Sequence, residues 1–179
     1  MKRLVLTALA LALSAGVALA SGLDENPMAP GGPGVFRHQG PVVSIESYAS
    51  FNLGHSRTDF FFAGGSRYVA RRAQDHAGKD ATVRWADSQT CLALNAVLAD
   101  VQQLKAPLIE LPGFPHAVQG DLVMDGVGYS LWTTAGRYDG GRARGGVEMT
   151  GNVDSPLAKW SQSADARLKD CWGDAKPAE

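Results

Sequence analysis

The chain has 179 residues, with 17 Lys and Arg against 18 Asp and Glu and a formal charge of −1. That balance excludes a general nucleic-acid binder, which carries a clear basic excess. The length suits one domain with its own core, and two cysteines in 179 residues allow at most one internal disulfide.

The first 20 residues, "MKRLVLTALALALSAGVALA", read as an export leader (1–20). Lys2 and Arg3 form the charged start, Leu4 to Leu13 the apolar run, and Ala18-Leu19-Ala20 the small-residue cleavage site. The run is too short for a spanning helix with flanks, and no later segment approaches the roughly 18 apolar residues a span needs. No membrane span is expected, and the mature chain is placed in the periplasm or secreted. Losing Lys2 and Arg3 takes the charge from −1 to about −3. No Cys stands near the cut, which argues against a lipid anchor.

Residues 21–41, "SGLDENPMAPGGPGVFRHQGP", hold four Pro and five Gly and almost no periodic apolar residues. Such a segment buries too little to offset its ordering entropy, so a flexible arm is expected. The domain then runs over 42–172, and "GDAKPAE" (173–179) is expected to be a disordered tail.

Within the domain, "VVSIESYASF" (Val42 to Phe51) is rich in β-branched and aromatic residues and predicts a strand. "NLGHS" predicts a turn. "DFFFA" and "SRYVARR" predict two strands joined at Gly64-Gly65, and "ATVRW" a third beyond the polar "AQDHAGKD". The period then changes. Cys91, Leu94, Val97, Leu98, Val101 and Leu104 recur three and four apart and form a helical stripe, with Asp87 or Ser88 placed to cap it.

"KAPLIELPGFPHAVQG" is a proline-rich connector. Beyond it, "DLVM" and "VGYSLWTT" flank a hairpin signal at Asp125-Gly126, and "VEMTGN" predicts another strand. "DSPLAKWSQSADARLKDCW" predicts a helix capped by Asp154 or Ser155 with Pro156 in its first turn. Its stripe is Leu157, Trp160, Ala164, Leu168 and Cys171. "DFFFAGGSRYVARR" and "DLVMDGVGYSLWTT" share a pattern offset by about 62 residues, which suggests two duplicated β-β-β-α units. The expected fold is therefore α+β: an antiparallel sheet with two helices on one face. Cys91 and Cys171 are expected to pair in the oxidising compartment that the leader implies. That pairing would join the first turn of one helix to the last turn of the other.

Chemistry is sparse. His38, His55, His76 and His116 show no metal spacing, and they are expected in the arm and in loops. There is no nucleophile elbow, phosphate loop or dinucleotide fingerprint, so no cofactor, no metal and no catalytic residue is assigned. Trp85, Trp132 and Trp160 are expected in the core and Trp172 over the disulfide, since a carbohydrate platform needs exposed rings. The most suggestive local feature is "GRYDGGRARGG". Arg137, Tyr138, Arg142 and Arg144 stand there among five glycines, and arginine forks grip carboxylates and phosphates. They are the candidate ligand-binding residues, for a protein or an anionic envelope ligand.

These features point to a non-enzymatic exported binding, inhibitor or envelope accessory module. The alternative is a cell-envelope hydrolase whose site assembles from distant loops, with His55, His76, Asp75 and Asp121 as candidates. A third reading uses Cys91 as a thiol nucleophile at a helix start.

Overall fold

The computed structural model describes residues 28, 36, 40–52, 54–75, 80–105, 126–136 and 145–179. Among the described residues six strands form one antiparallel sheet: β1 (Val43–Ala49), β2 (His55–Gly64), β3 (Arg67–Asp75), β4 (Thr82–Asp87), β5 (Val127–Gly136) and β6 (Gly145–Gly151). Their order is β4-β3-β2-β1-β5-β6. Two helices complete the described fold, α1 (Ala93–Val101) and α2 (Pro156–Leu168). The α+β class, the antiparallel sheet and the helices packed together against one face are as expected.

Alternation along β1 sets the two faces, because successive strand side chains point to opposite sides. Val43 and Ile45 point toward the helices and are buried there with Phe60, Ala70, Ala86 and Leu131. Leu94 and Val97 of α1 and Leu157, Trp160, Ala164 and Leu168 of α2 close this main core. Ser44, Glu46 and Tyr48 point the other way. The triple phenylalanine of β2 divides in the same manner. Phe60 enters the main core, Phe61 joins a second cluster on the opposite face, which is helix-free among the described residues, and Phe62 stays exposed beside Tyr68.

The β2–β3 hairpin turns at the expected glycines, with Gly64 at φ 99° and Gly65 at φ 59°. Only glycine enters that left-handed region without a Cβ clash. Ser155 caps α2, its Oγ accepting from the Ala158 amide at 3.0 Å, with Pro156 directly behind it.

Four local expectations are corrected. β1 ends at Ala49, and Ser50–Asn52 form a 3₁₀ turn with Phe51 at φ 60°. His55 and Ser56, expected in a turn, begin β2 because they pair with Tyr48 and Ser47 of β1. Asp87 and Ser88 do not cap α1. Asp87 instead folds a turn ahead of the helix, accepting the Gln89 amide on its side chain and the Thr90 and Cys91 amides on its carbonyl. Ser88 accepts the Tyr68 amide, and α1 starts without a side-chain cap. Both cysteines accordingly lie just outside their helices.

The Cys91–Cys171 disulfide is formed, with Cα atoms 5.7 Å apart. It spans a sequence separation of 80 residues. Chain-entropy arithmetic assigns such a closure about 4 kcal/mol. It joins the start of α1 to the end of α2, and Trp160 Nε1 donates to the Val97 carbonyl between them at 3.4 Å. Arg72 of β3 reaches α2 through Asp165 at 2.9 Å and lies over the Trp172 ring.

β5 lies between β1 and β6 and pairs with β1 in register from Val43↔Thr133 to Ala49↔Val127. The segment "DLVM" lies outside the described residues, as do the expected leader and most of the expected arm. Phe36 of the arm is fully buried. The C-terminal segment also makes contacts: Gly173 forms a two-way backbone bridge to Trp85, and the Ala178 carbonyl accepts from Arg67 at 2.8 Å.

Candidate functional site

The helix-free face carries the site. Register places Trp85, Arg71, Asp59, Ser44, Trp132 and Glu148 in one row across all six strands. The next row brings Arg57, Glu46 and Ser130 side by side, and a third sets His55 beside Tyr48. Two short polar strand faces, "SIESY" on β1 and "HSRTD" on β2, therefore meet in the middle of the sheet.

The middle is a buried charge cluster. Asp59 is fully buried and accepts from Ser44 Oγ at 2.6 Å and Arg57 Nε at 2.8 Å, with Arg71 Nη1 at 3.5 Å. Arg57 also donates to Glu46 Oε1, and its Nη2 to Ser44 Oγ at 3.2 Å. Two carboxylates thus meet two guanidiniums, and the set is neutral. Burial is the main force lowering the Arg71 guanidinium from its ordinary value; Asp59 opposes it and nearby Arg57 adds to it. An arginine nevertheless stays charged at physiological pH. Buried charges persist only when paired in this way.

On the β2–β3–β4 side the face is covered. Phe36 packs with Phe61, Ala63, Val69 and Trp85, and Lys176 of the C-terminal segment lies over the Phe36 and Trp85 rings. On the β1–β5–β6 side a cavity of about 520 Å³ opens instead. Ser44, Glu46 and Tyr48 of β1 and Arg57 of β2 form one part of its wall. Ser130 and Trp132 of β5 and Glu148 of β6 form another, and Gly40 and Pro41 line its margin. Its size falls in the range of small-molecule sites, which mix apolar walls with a few placed polar groups.

The two aromatic walls are held differently. Tyr48 stacks on His55 with ring centroids 4.4 Å apart, and His55 Nε2 lies 3.6 Å from Glu46 Oε2. The Trp132 indole lies against Gly146, where an added Cβ would come 3.3 Å from Nε1. A glycine at that position of β6 lets the ring lie close to the strand. Tyr48 is 44% exposed and Trp132 37%. Trp132 is thus corrected from a core residue to a cavity wall, while Trp85 and Trp160 are buried as expected.

Of the sequence-predicted residues, Arg137, Tyr138, Arg142 and Arg144 lie outside the described residues. Their loop joins Gly136 of β5 to Gly145 of β6, which pair with each other. His38, His76, His116, Asp121 and Asp125 also lie outside. His55 and Asp75 face each other across β2 and β3, but His55 stacks on Tyr48. The disulfide removes Cys91 as a nucleophile. Sequence reasoning passed over Ser44, Glu46, Tyr48, Arg57, Ser130 and Glu148. The available signal was the period-2 set Ser44, Glu46, Tyr48 opposite the apolar Val43 and Ile45. The charged "RTD" inside a strand was a further sign. Among the described residues no helix is long and apolar enough to cross a membrane, and no group of three His, Cys, Asp or Glu is placed to hold a metal.

Against known family models, characterised proteins and solved structures, the chain matches none.

Proposed function

We propose that this chain is an exported, non-enzymatic binding module that holds a small ligand in the cavity between Tyr48 and Trp132. The observation that carries this reading is the half of the helix-free face that the described residues leave uncovered. Two large aromatic side chains stand exposed there beside a buried, hydrogen-bonded charge cluster, in a cavity of about 520 Å³. Exposed aromatics rimmed by polar groups mark binding sites more often than bare surface. The walls stand on strands, whose positions the sheet fixes, rather than on loops.

Export rests on the leader-like 1–20 segment and is supported by the disulfide, which persists in oxidising compartments. The mature protein is placed in the periplasm or outside the cell. The arginine loop, Arg137 to Arg144, is a second proposed contact, for an anionic envelope or protein group. Changing its three arginines to Ala tests it separately.

The test of the cavity is mass spectrometry of small molecules that co-purify with the folded protein from its envelope fraction. Wild type is compared with the Tyr48→Ala/Trp132→Ala double variant. A compound held by wild type and absent from the variant is expected. Identical retained sets, with both proteins folded, would overturn the reading.

A further inference from the structure

We propose that the cavity selects an organic cation, a protonated amine or guanidinium on a slender stem; this rests on the binding reading above. The polar atoms of the wall decide the sign. The Ser44 hydroxyl donates to Asp59, and the Ser130 hydroxyl donates to Glu148 Oε1 at 3.0 Å. Arg57 directs its donors to Asp59, Glu46 and Ser44, and its side chain is 5% exposed, so its charge is sealed from a ligand.

The acceptors have capacity left. A carboxylate has room for about four hydrogen bonds. Glu46 gives Oε1 to Arg57, while Oε2 has His55 at 3.6 Å, beyond a good hydrogen bond. Glu148 is exposed and accepts from Ser130, and among the described residues no cation lies within 4.0 Å of it. Charges agree with this picture. Glu46 and Asp59 offset Arg57 and Arg71, which leaves Glu148 as the excess charge among the described residues of the wall.

The aromatic faces point to the same ligand. A cation over a Tyr or Trp ring is attracted by the ring's negative face, and carboxylates supply charge-assisted hydrogen bonds that neutral ligands do not return. Strand geometry sets the Cα atoms of Tyr48 and Trp132 about 14 Å apart, four residues along and one strand across, with Glu46 between them. That span suits an extended, slender cation rather than a compact one. A free polyamine and the side chain of a basic peptide share this chemistry.

The test is calorimetric titration of the mature, oxidised protein with spermidine, with an end-blocked Lys-Arg dipeptide, with a neutral disaccharide and with glucuronate. The cations are expected to bind at least about tenfold tighter than the neutral and anionic probes, the scale of one charge-assisted contact. Whichever of spermidine and the dipeptide binds tighter identifies the source. Glu148→Gln, at an exposed position that leaves the buried cluster intact, is expected to weaken the cation about tenfold and to reduce its salt dependence. Trp132→Ala is expected to weaken it about three- to tenfold. If the disaccharide or glucuronate binds and Trp132→Ala abolishes that binding while the cations do not bind, the cation inference falls and the binding site stands. Cation binding indifferent to both Glu148→Gln and Trp132→Ala would also overturn it.

Discussion

The two halves of the helix-free face begin alike and end differently. Each runs outward from the Asp59 cluster to a tryptophan in the same row, Trp85 on β4 and Trp132 on β5. Trp85 is 6% exposed beneath Phe36 and Lys176, whereas Trp132 is 37% exposed against Gly146. The sheet is the same, and the cover differs. Where Phe36 and the C-terminal segment pack, the face becomes a second core; on the other side the described residues leave a cavity. A single sheet thus offers stabilising surface and ligand surface, separated by a neutral cluster that serves both.

The largest expected effect comes from that shared cluster. Asp59→Ala removes the carboxylate beside the buried Arg71 and takes two bonds from the Ser44–Arg57 pair. Breaking a buried pair in this way costs about 3–5 kcal/mol. The midpoint of urea unfolding should fall accordingly, and both halves should loosen together. A loss below about 1 kcal/mol would mean that the cluster is not what joins them.

Next is Phe36→Ala, which empties the covered half alone. Removing a fully buried phenylalanine costs about 3 kcal/mol or more. Ligand affinity in the cavity should change little, since Phe36 packs over β2–β3–β4 and not over β1–β5–β6. If affinity fell in step with stability, the two halves would be coupled rather than separate.

What could be read in advance follows the same division. The helix stripes, the hairpin glycines and the Ser155-Pro156 start are local signals, so the helical face was legible from period, while capping located the start of α2 and not that of α1. The disulfide followed from a count of two and from the oxidising compartment that the leader-like start suggests. The helix-free face was not legible, because it depends on which strands become neighbours. Asp59 and Arg71 are 12 residues apart, and Ser44 and Trp132 are far apart in sequence; only the register puts them in one row. Trp132 reads as a core strand residue because its period is right, and nothing nearby says that its side of the sheet stays uncovered. Phe36 sits in a Gly/Pro-rich stretch with no periodicity, so a single buried anchor leaves no pattern there.

A smaller effect tests how the covered half is pinned. Arg67 donates to Asp87 at 2.7 Å and to the Ala178 carbonyl, linking β3, β4 and the C-terminal segment. Burial pushes the Asp87 carboxyl up, but the Arg67 guanidinium and the Gln89 amide together hold it below its ordinary value. A folded value below the unfolded one means stability that is present above the ordinary range and lost as pH falls through the depressed value. Asp87→Asn should therefore cost about 1 kcal/mol near neutral pH. The gap between variant and wild type should close below about pH 4. A gap that persisted in acid would show that the turn, not the charge, is what Asp87 supplies.

The smallest stability effect is expected at Trp132, and it is the sharpest test of the comparison. Its row neighbours, Ser44 and Glu148, are polar, and no buried apolar cluster includes it. Removing a ring from an open face creates no closed void, so Trp132→Ala should shift stability by about 1 kcal/mol or less. Phe36→Ala, at the covered end, should cost at least twice as much. Thermal unfolding of the two variants side by side measures that ratio directly. Similar losses would make Trp132 a packing residue and the open half a second core, which removes the reason to place a ligand there. A small loss at Trp132, joined to weakened ligand binding, is the signature of a side chain kept for contact and not for the fold.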